Sequence, residues 1–427
     1  MGLALAWLVV ATALLAVRPD LPGMVHVAPP VVALTHAWVL GFFVTVACGA
    51  VYQLVPVALG TTLWNETLGW VHFCLHALAV PGMVYSFWHW NLKWLAVFGG
   101  VVALGIVVFS LNTLLTVKGS ARRDTPAWAI VLATAWLLTT VLVGMTLVAN
   151  RMWAFIPLNP VSLLRAHAHL GLVGFFVTLL QGVGFQLVPM FTLGEIRHWW
   201  LAKTGLWCSQ LGLLALLPGL VWQLDLLAFG GALAITIGLL FSGLGLKRAL
   251  ATRKKRRLDP GLVAFLWGGV GLWVAAVVGT ALLLPGWDLG FERGVATTMG
   301  YALLGILGGL LPCVAGMMCK VVPFLTWMRA YGPRVGRGPT PPAHSLTHPR
   351  IERWALSLQQ LSTAPLVLGV WMHSSLWLRL GVWILAVGVI LFVIDMLGVL
   401  KHLWYPATAL STPSVPSPKA TLKPKNT

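Results

Sequence analysis

His36-Ala37-Trp38-Val39-Leu40-Gly41-Phe42-Phe43-Val44-Thr45, followed by Gly49 and by Gln53-Leu54-Val55-Pro56, is the stretch on which the fold turns. The whole frame returns, every matched position moved by the same offset, as His169, Gly174-Phe175-Phe176-Val177-Thr178, Gly182 and Gln186-Leu187-Val188-Pro189. A third, weaker copy, after a nearly equal further step, keeps Gly308, Gly316 and Lys320-Val321-Val322-Pro323 but carries Leu303 in place of the histidine. A fixed period of this kind marks a chain assembled from similar units. Here there are three, about 1–120, 121–250 and 251–405, and two of them carry the histidine.

The repeats lie in apolar sequence. Of the 427 residues 59% are hydrophobic and 9% charged, and the mean hydropathy is +0.88. That leaves too little polar surface to cover a water-soluble globule. Apolar runs long enough to cross a bilayer as helices number about twelve, near 2–17, 30–58, 68–90, 92–116, 127–149, 163–190, 201–223, 227–246, 261–284, 292–320, 352–374 and 377–400. The expectation is an all-α polytopic membrane protein, a single twelve-helix domain over 1–405 with four helices per unit. The Pro-, Ser-, Thr- and Lys-rich tail 406–427 lacks apolar periodicity and reads as disordered.

The net charge of +18 is concentrated on alternate connections. Lys118, Arg122, Arg123, Arg197, Lys203, Lys247, Arg248, the Arg253–Arg257 run, Arg329, Arg334, Arg337 and Arg350 share one side. The other side has scattered Arg18, Lys93, Arg151, Arg293 and Arg379, partly balanced by Asp20, Asp225, Asp288 and Glu292. The positive-inside rule then puts both termini in the cytoplasm, across a bacterial-type inner membrane. It also accounts for the basic balance without nucleic acid, leaving anionic lipid headgroups as the partner of these loops. The first apolar run has no positive n-region and no small-residue cleavage site before Arg18, so it reads as a membrane helix rather than a signal peptide. Cys48, Cys74, Cys208, Cys313 and Cys319 all fall inside spans, at spacings that fit neither a disulfide framework nor a zinc site.

An ionisable side chain inside a bilayer points to function by default. At 1.5 Å per residue, His36 lies about 9 Å inside the outer end of span 2, and His167 and His169 about 6–9 Å inside that of span 6. His89 sits at the outer end of span 3, completing a layer of four imidazoles in the outer third of the membrane. His72 and His76, four residues apart on one face of span 3, form a second group suited to one shared metal, or to a haem edge or propionate. Thr35 and Arg165 adjoin the outer histidines and are candidate supports for them. Cys313, Met317, Met318 and Cys319 in span 10 are soft ligands of the kind that hold Cu(I), although Met and Cys also pack apolar helices. For any one histidine the plain alternative is an interhelical hydrogen bond, worth about 0.6 kcal/mol. Two histidines at the same repeat position weigh against it. His26, His198, His344, His348, His373 and His402 fall in loops or at span ends, where solvated imidazoles are expected.

This arrangement resembles subunit I of the haem-copper oxidase superfamily. The segment from Thr35-His36-Ala37 to Gln53-Leu54-Val55-Pro56 looks like helix 2 of the nitric-oxide reductase and C-type oxidase branches, where the histidine ligates the low-spin haem. His167-Ala168-His169-Leu170-Gly171-Leu172-Val173-Gly174 is similar to histidine motifs of NnrS-type membrane proteins. The resemblance implies b-type haem, with copper as a second candidate, held by His36 and one of His167 and His169; by their own depth, spacing and chemistry His72 and His76 are further cofactor candidates, and His89, Cys313 and Met317 further metal candidates. It implies electron relay or binding of a diatomic gas such as nitric oxide, beside other respiratory or redox subunits. In the oxidases spans 10 and 7 supply further histidines for haem and copper, and here neither has one. The resemblance therefore supports an oxidoreductase-like haem protein and argues against terminal oxygen reduction. The rival expectation is a non-catalytic copper-handling or oxidase-assembly protein using His72, His76 and the 313–319 segment. A secondary transporter fits less well, since such folds repeat in halves.

Overall fold

The computed structural model describes residues 1–286, 290–337 and 340–406. The tail 407–427 and Asp288 lie outside the described residues, and with them the expectations placed there. All regular structure among the described residues is helical. The helices are α1 (Gly2–Val17), α2 (Pro29–Leu59), α3 (Glu66–Trp88), α4 (Leu92–Lys118), α5 (Thr125–Trp153), α6 (Pro160–Thr192), α7 (Trp199–Val221), α8 (Asp225–Ala251), α9 (Pro260–Ala281), α10 (Arg293–Ala330), α11 (Pro349–Leu361), α12 (Thr363–Trp371) and α13 (Ser375–Leu400).

Their starts are written in the sequence. Asn65, Asn91, Asp124 and Asn159 each accept a backbone N–H of the following first turn, and Pro29, Pro160, Pro260 and Pro349 open helices where no N–H is needed. Among the described residues, ten helices are long and apolar enough to cross a membrane. The two remaining expected spans are shorter. α1 has 16 residues, and the run expected over 352–374 is divided into α11 and α12 at Ser362. Pro365 explains the division, because proline has no N–H and its ring clashes with the carbonyl four residues back, here Leu361.

Three helices form the centre. The most apolar windows of α2, α6 and α10 are 61%, 72% and 72% buried, against 22–50% in the other spanning helices. They meet through Phe43 and Phe176, whose rings lie 6.0 Å apart, and through Leu172 against Gly305. Each passes through a π-helical segment, at Ala37–Val44, Leu170–Val177 and Leu304–Leu310, which begin at matching positions of the repeat. A π-turn widens the helix and leaves carbonyls in need of partners. Thr45 Oγ1 donates to Leu40 O (3.2 Å), and Thr178 Oγ1 donates to Val173 O (3.1 Å). The third copy has Pro312 at this register, which frees a carbonyl by lacking an N–H.

The outer helices pack on one another through small residues. On α7 and α8, Gly205 faces Gly238, Gly212 faces Gly231 and Gly219 faces Ala228, so that a Cβ on Gly212 would stand 2.6 Å from Gly231 O. In lipid, where burial of apolar surface drives nothing, such close backbone approach supplies the attraction. The basic connections gather at one end. Arg122 reaches Ala58 O, Ser120 Oγ donates to Leu59 O (2.7 Å), Lys254 N donates to Thr192 O (3.2 Å), and Asp259 pairs with Lys255 and Lys320.

Candidate functional site

His36, His167 and His169 share one hydrogen-bond device. Nδ1–H of His36 donates to Val32 O (2.8 Å), that of His167 to Thr140 O (3.1 Å), and that of His169 to Arg165 O (2.8 Å). A carbonyl oxygen only accepts, so the proton of each neutral ring resides on Nδ1 and the lone pair on Nε2. This is how a backbone carbonyl fixes the tautomer of a metal-binding imidazole.

Two of these rings come together. His36 on α2 and His167 on α6 lie 6.5 Å apart between centroids, with planes 21° from parallel. Two imidazoles that each give a nitrogen to one metal at about 2.0–2.1 Å hold their centroids roughly 6 Å apart. Phe87 of α3 stacks on His36 at 4.4 Å. On the other side Gly144 of α5 makes room for His167, since a Cβ there would stand 2.9 Å from His167 Cε1. The pair thus sets two imidazoles, each with its Nδ1–H held by a carbonyl, side by side between α2 and α6. Thr35 does not support it: its hydroxyl donates to Val31 O at 2.8 Å, and the residue is exposed.

His169 faces away into a different seam. Its Nε2 accepts from Tyr301 O–H of α10 at 3.1 Å, and both rings line a cavity of about 740 Å³ together with His26 and Arg165. Tyr301 escapes a search for histidines, yet it stands just before Leu303 as His167 stands just before His169, at the same register of the repeat. One rule relates the two contacts. The position of His36 or His169 in one unit meets the position of His167 or Tyr301 in the next.

His72 and His76 stand apart from this layer and are nearly fully buried. Nε2–H of His76 donates to Leu40 O, the carbonyl freed by the π-turn, and lies equally close to Thr45 Oγ1, at 3.0 Å in both cases. In the second unit Gln210 takes this place, its Nε2–H donating to Thr178 Oγ1 (2.8 Å) while its Oε1 accepts from Trp136 Nε1 (2.6 Å). His76 thus closes the first bulge as an amide closes the second. His72 Nδ1 lies 3.3 Å from Tyr52 O–H, and His72 Nε2 and His76 Nδ1 have no partner among the described residues.

The remaining candidates do not join either group. His89 is exposed and packs at 4.4 Å on Tyr85. Cys313 directs its thiol to Phe265 O (3.4 Å) against Gly268, while Cys319 packs by Gly261. Met317 lines a small apolar cavity between α2, α6 and α10. Among the described residues, no three His, Cys, Asp or Glu side chains converge as a metal site. No protein-family model matches the chain, and no curated protein is detectably similar to it.

Proposed function

We propose that the protein is a membrane haem protein in which His36 and His167 would hold one b-type haem, serving one-electron relay. The observation that carries this reading is the pair itself: two neutral imidazoles, each with Nδ1 tied to a carbonyl, 6.5 Å apart on different units. Bound haem would supply one-electron redox chemistry. Val32 and Thr140 carbonyls raise the basicity of the two ligands, Phe87 holds the His36 ring, and Gly144 admits the His167 ring. A haem held by both imidazoles would supply electron relay rather than gas binding. The reading includes a relation to haem-copper oxidase subunit I, twelve membrane crossings in three four-helix units, and both termini in the cytoplasm of a bacterial-type cell.

The test is a reduced-minus-oxidised spectrum with haem and iron analysis of the purified protein, repeated for His36→Ala, His167→Ala and His169→Ala. Loss of the low-spin spectrum in the first two variants and its retention in the third is expected. A wild-type protein without Soret absorbance, or a full spectrum in both His36→Ala and His167→Ala, refutes the assignment.

A further inference from the structure

The cavity between α6, α7, α8, α9 and α10 takes no part in the His36–His167 pair. Its volume of about 740 Å³ lies within the roughly 300–1,000 Å³ typical of small-molecule sites. Its polar groups are gathered at one end: His26 from the connection between α1 and α2, Arg165 and His169 on α6, and Thr298 and Tyr301 on α10. The remainder is largely aliphatic, with Val173, Leu216, Leu239 and Leu272 among the walls. Along α6 the lining runs from Val161 to Val177, roughly 24 Å at the helical rise. One leaflet of a hydrocarbon core about 30 Å thick is about 15 Å deep. The cavity is thus a long apolar shaft with a polar mouth.

Two groups at that mouth are open to a ligand, an exposed Arg165 and a shielded His26. Among the described residues, no carboxylate pairs with Arg165 and no acceptor is bonded to its guanidinium. His26 has both ring nitrogens shielded from solvent and without a hydrogen-bond partner among the described residues. Burial, and then the charge of Arg165, hold His26 below the ordinary imidazole value, so at neutral pH it offers one N–H and one lone pair. His169 is already satisfied by Tyr301 and the Arg165 carbonyl. The His26 nitrogens, out of contact with water, call for a partner, and the exposed guanidinium of Arg165 carries a charge that draws an anion. An anionic acceptor at the mouth would answer both, and a guanidinium suits a carboxylate because its parallel N–H groups match the two oxygens.

From this geometry we propose that the cavity binds a long-chain anionic amphiphile of the fatty-acid class, with its carboxylate between Arg165 and His26 and its acyl chain along the aliphatic shaft. A neutral amphiphile would fill the shaft but gain nothing from the charge of the guanidinium. A small anion would answer the guanidinium but leave the shaft empty.

The experiment uses the full chain in phosphatidylcholine nanodiscs, titrated with a spin-labelled stearate and competed with oleate, oleyl alcohol or acetate. Oleate is expected to displace the label at least tenfold better than oleyl alcohol, with no displacement by millimolar acetate. Arg165→Gln is expected to abolish the preference for oleate over the alcohol while leaving the haem spectrum unchanged. Equal displacement by oleate and oleyl alcohol in the wild-type protein overturns the proposal without recourse to any variant, as does displacement by acetate alone. Loss of haem in Arg165→Gln would assign the cavity to haem and also overturn it. A haem-free wild-type protein that still prefers oleate would sink the haem reading and leave this one standing.

Discussion

Gly144→Ala isolates the contribution of His167 without removing its imidazole. A methyl on Gly144 would stand 2.9 Å from His167 Cε1, whereas ordinary contact begins at 3.4 Å, so the ring must retreat by the difference. The retreat cannot be free, because Nδ1–H is held by Thr140 O at 3.1 Å. Lengthened by the same amount, that bond would pass out of the range in which hydrogen bonds are effective. Preserved, it would force the ring to turn about it and carry Nε2 off its axis, and a ligand constellation tolerates only about 0.5 Å of such error. Overpacking of this kind costs about 1–3 kcal/mol, which is roughly a 5- to 150-fold loss of haem affinity, since about 1.4 kcal/mol is tenfold. The assay is a haemin titration of haem-depleted protein, read by Soret absorbance and by the low-spin signal. Gly171→Ala is the control, because its methyl would meet only Thr140 Cγ2, at an ordinary 3.5 Å. A monodisperse Gly144→Ala protein with unchanged haem affinity and spectrum would refute the axial role of His167.

His76→Gln should keep both fold and haem, because Gln210 closes the matching bulge in the second unit. His76→Leu should lower unfolding stability by about 0.5–1.5 kcal/mol, the worth of one of the two hydrogen bonds that Leu40 O accepts, the other coming from Thr45 Oγ1. Loss of the haem spectrum in His76→Gln, measured beside thermal unfolding in detergent, would instead make His76 a ligand. Asp259 is partly buried, which raises its pKa, but hydrogen bonds and charge from Lys255 and Lys320 together outweigh burial and hold the carboxyl below its ordinary value. Its contribution to stability is therefore present above about pH 4 and lost as pH falls through the depressed value. Asp259→Asn should be less stable than wild type at pH 7 and should lose less on acidification, as read by melting temperature against pH; parallel profiles would contradict the pairing. Cys313→Ala and Met317→Leu should leave bound copper per protein unchanged, since the Cys313 thiol is engaged with Phe265 O. A fall in copper by mass spectrometry would revive a soft-metal site in α10.

What could be read from the sequence was whatever depends on local pattern. Apolar length gave the helices, Asn and Pro gave their starts, and the recurring His-x4-Gly-Phe-Phe-Val-Thr frame pointed to α2 and α6, which the structure places at the centre with α10. Two features stayed hidden because they depend on partners far along the chain. His167 and His169 are two residues apart, so depth alone could not tell which of them faces His36. The choice is made by helix rotation, since residues two apart do not share a helix face. His76 gave the opposite difficulty: it looked like half of a metal-binding pair, and only the π-turn, invisible to apolar periodicity, supplies the carbonyl it serves. Ser362 and Pro365 were legible as a break in span 11, but apolar continuity over 352–374 masked it.

The contacts in the outer layer also change what the missing histidine means. His36 meets His167 and His169 meets Tyr301, each across a seam between consecutive units, and by the same register the third seam would oppose Leu303 to Leu34. The ring contacts therefore lie between copies of the sequence frame rather than within one. One seam offers two imidazoles, the next an imidazole and a phenol, and the last two leucines. Having Leu303 in the third unit where the second has His169 thus does not subtract one of three equal sites. Tyr301 answers His169 with a hydroxyl in place of an imidazole, and at that second seam a cavity opens. A ligand held between His36 and His167 would stabilise the folded protein in proportion to its binding, RT ln(1 + [L]/Kd). That stabilisation would act through the first seam alone, tying α2 and α3 to α5 and α6 while the second seam keeps room for a different occupant.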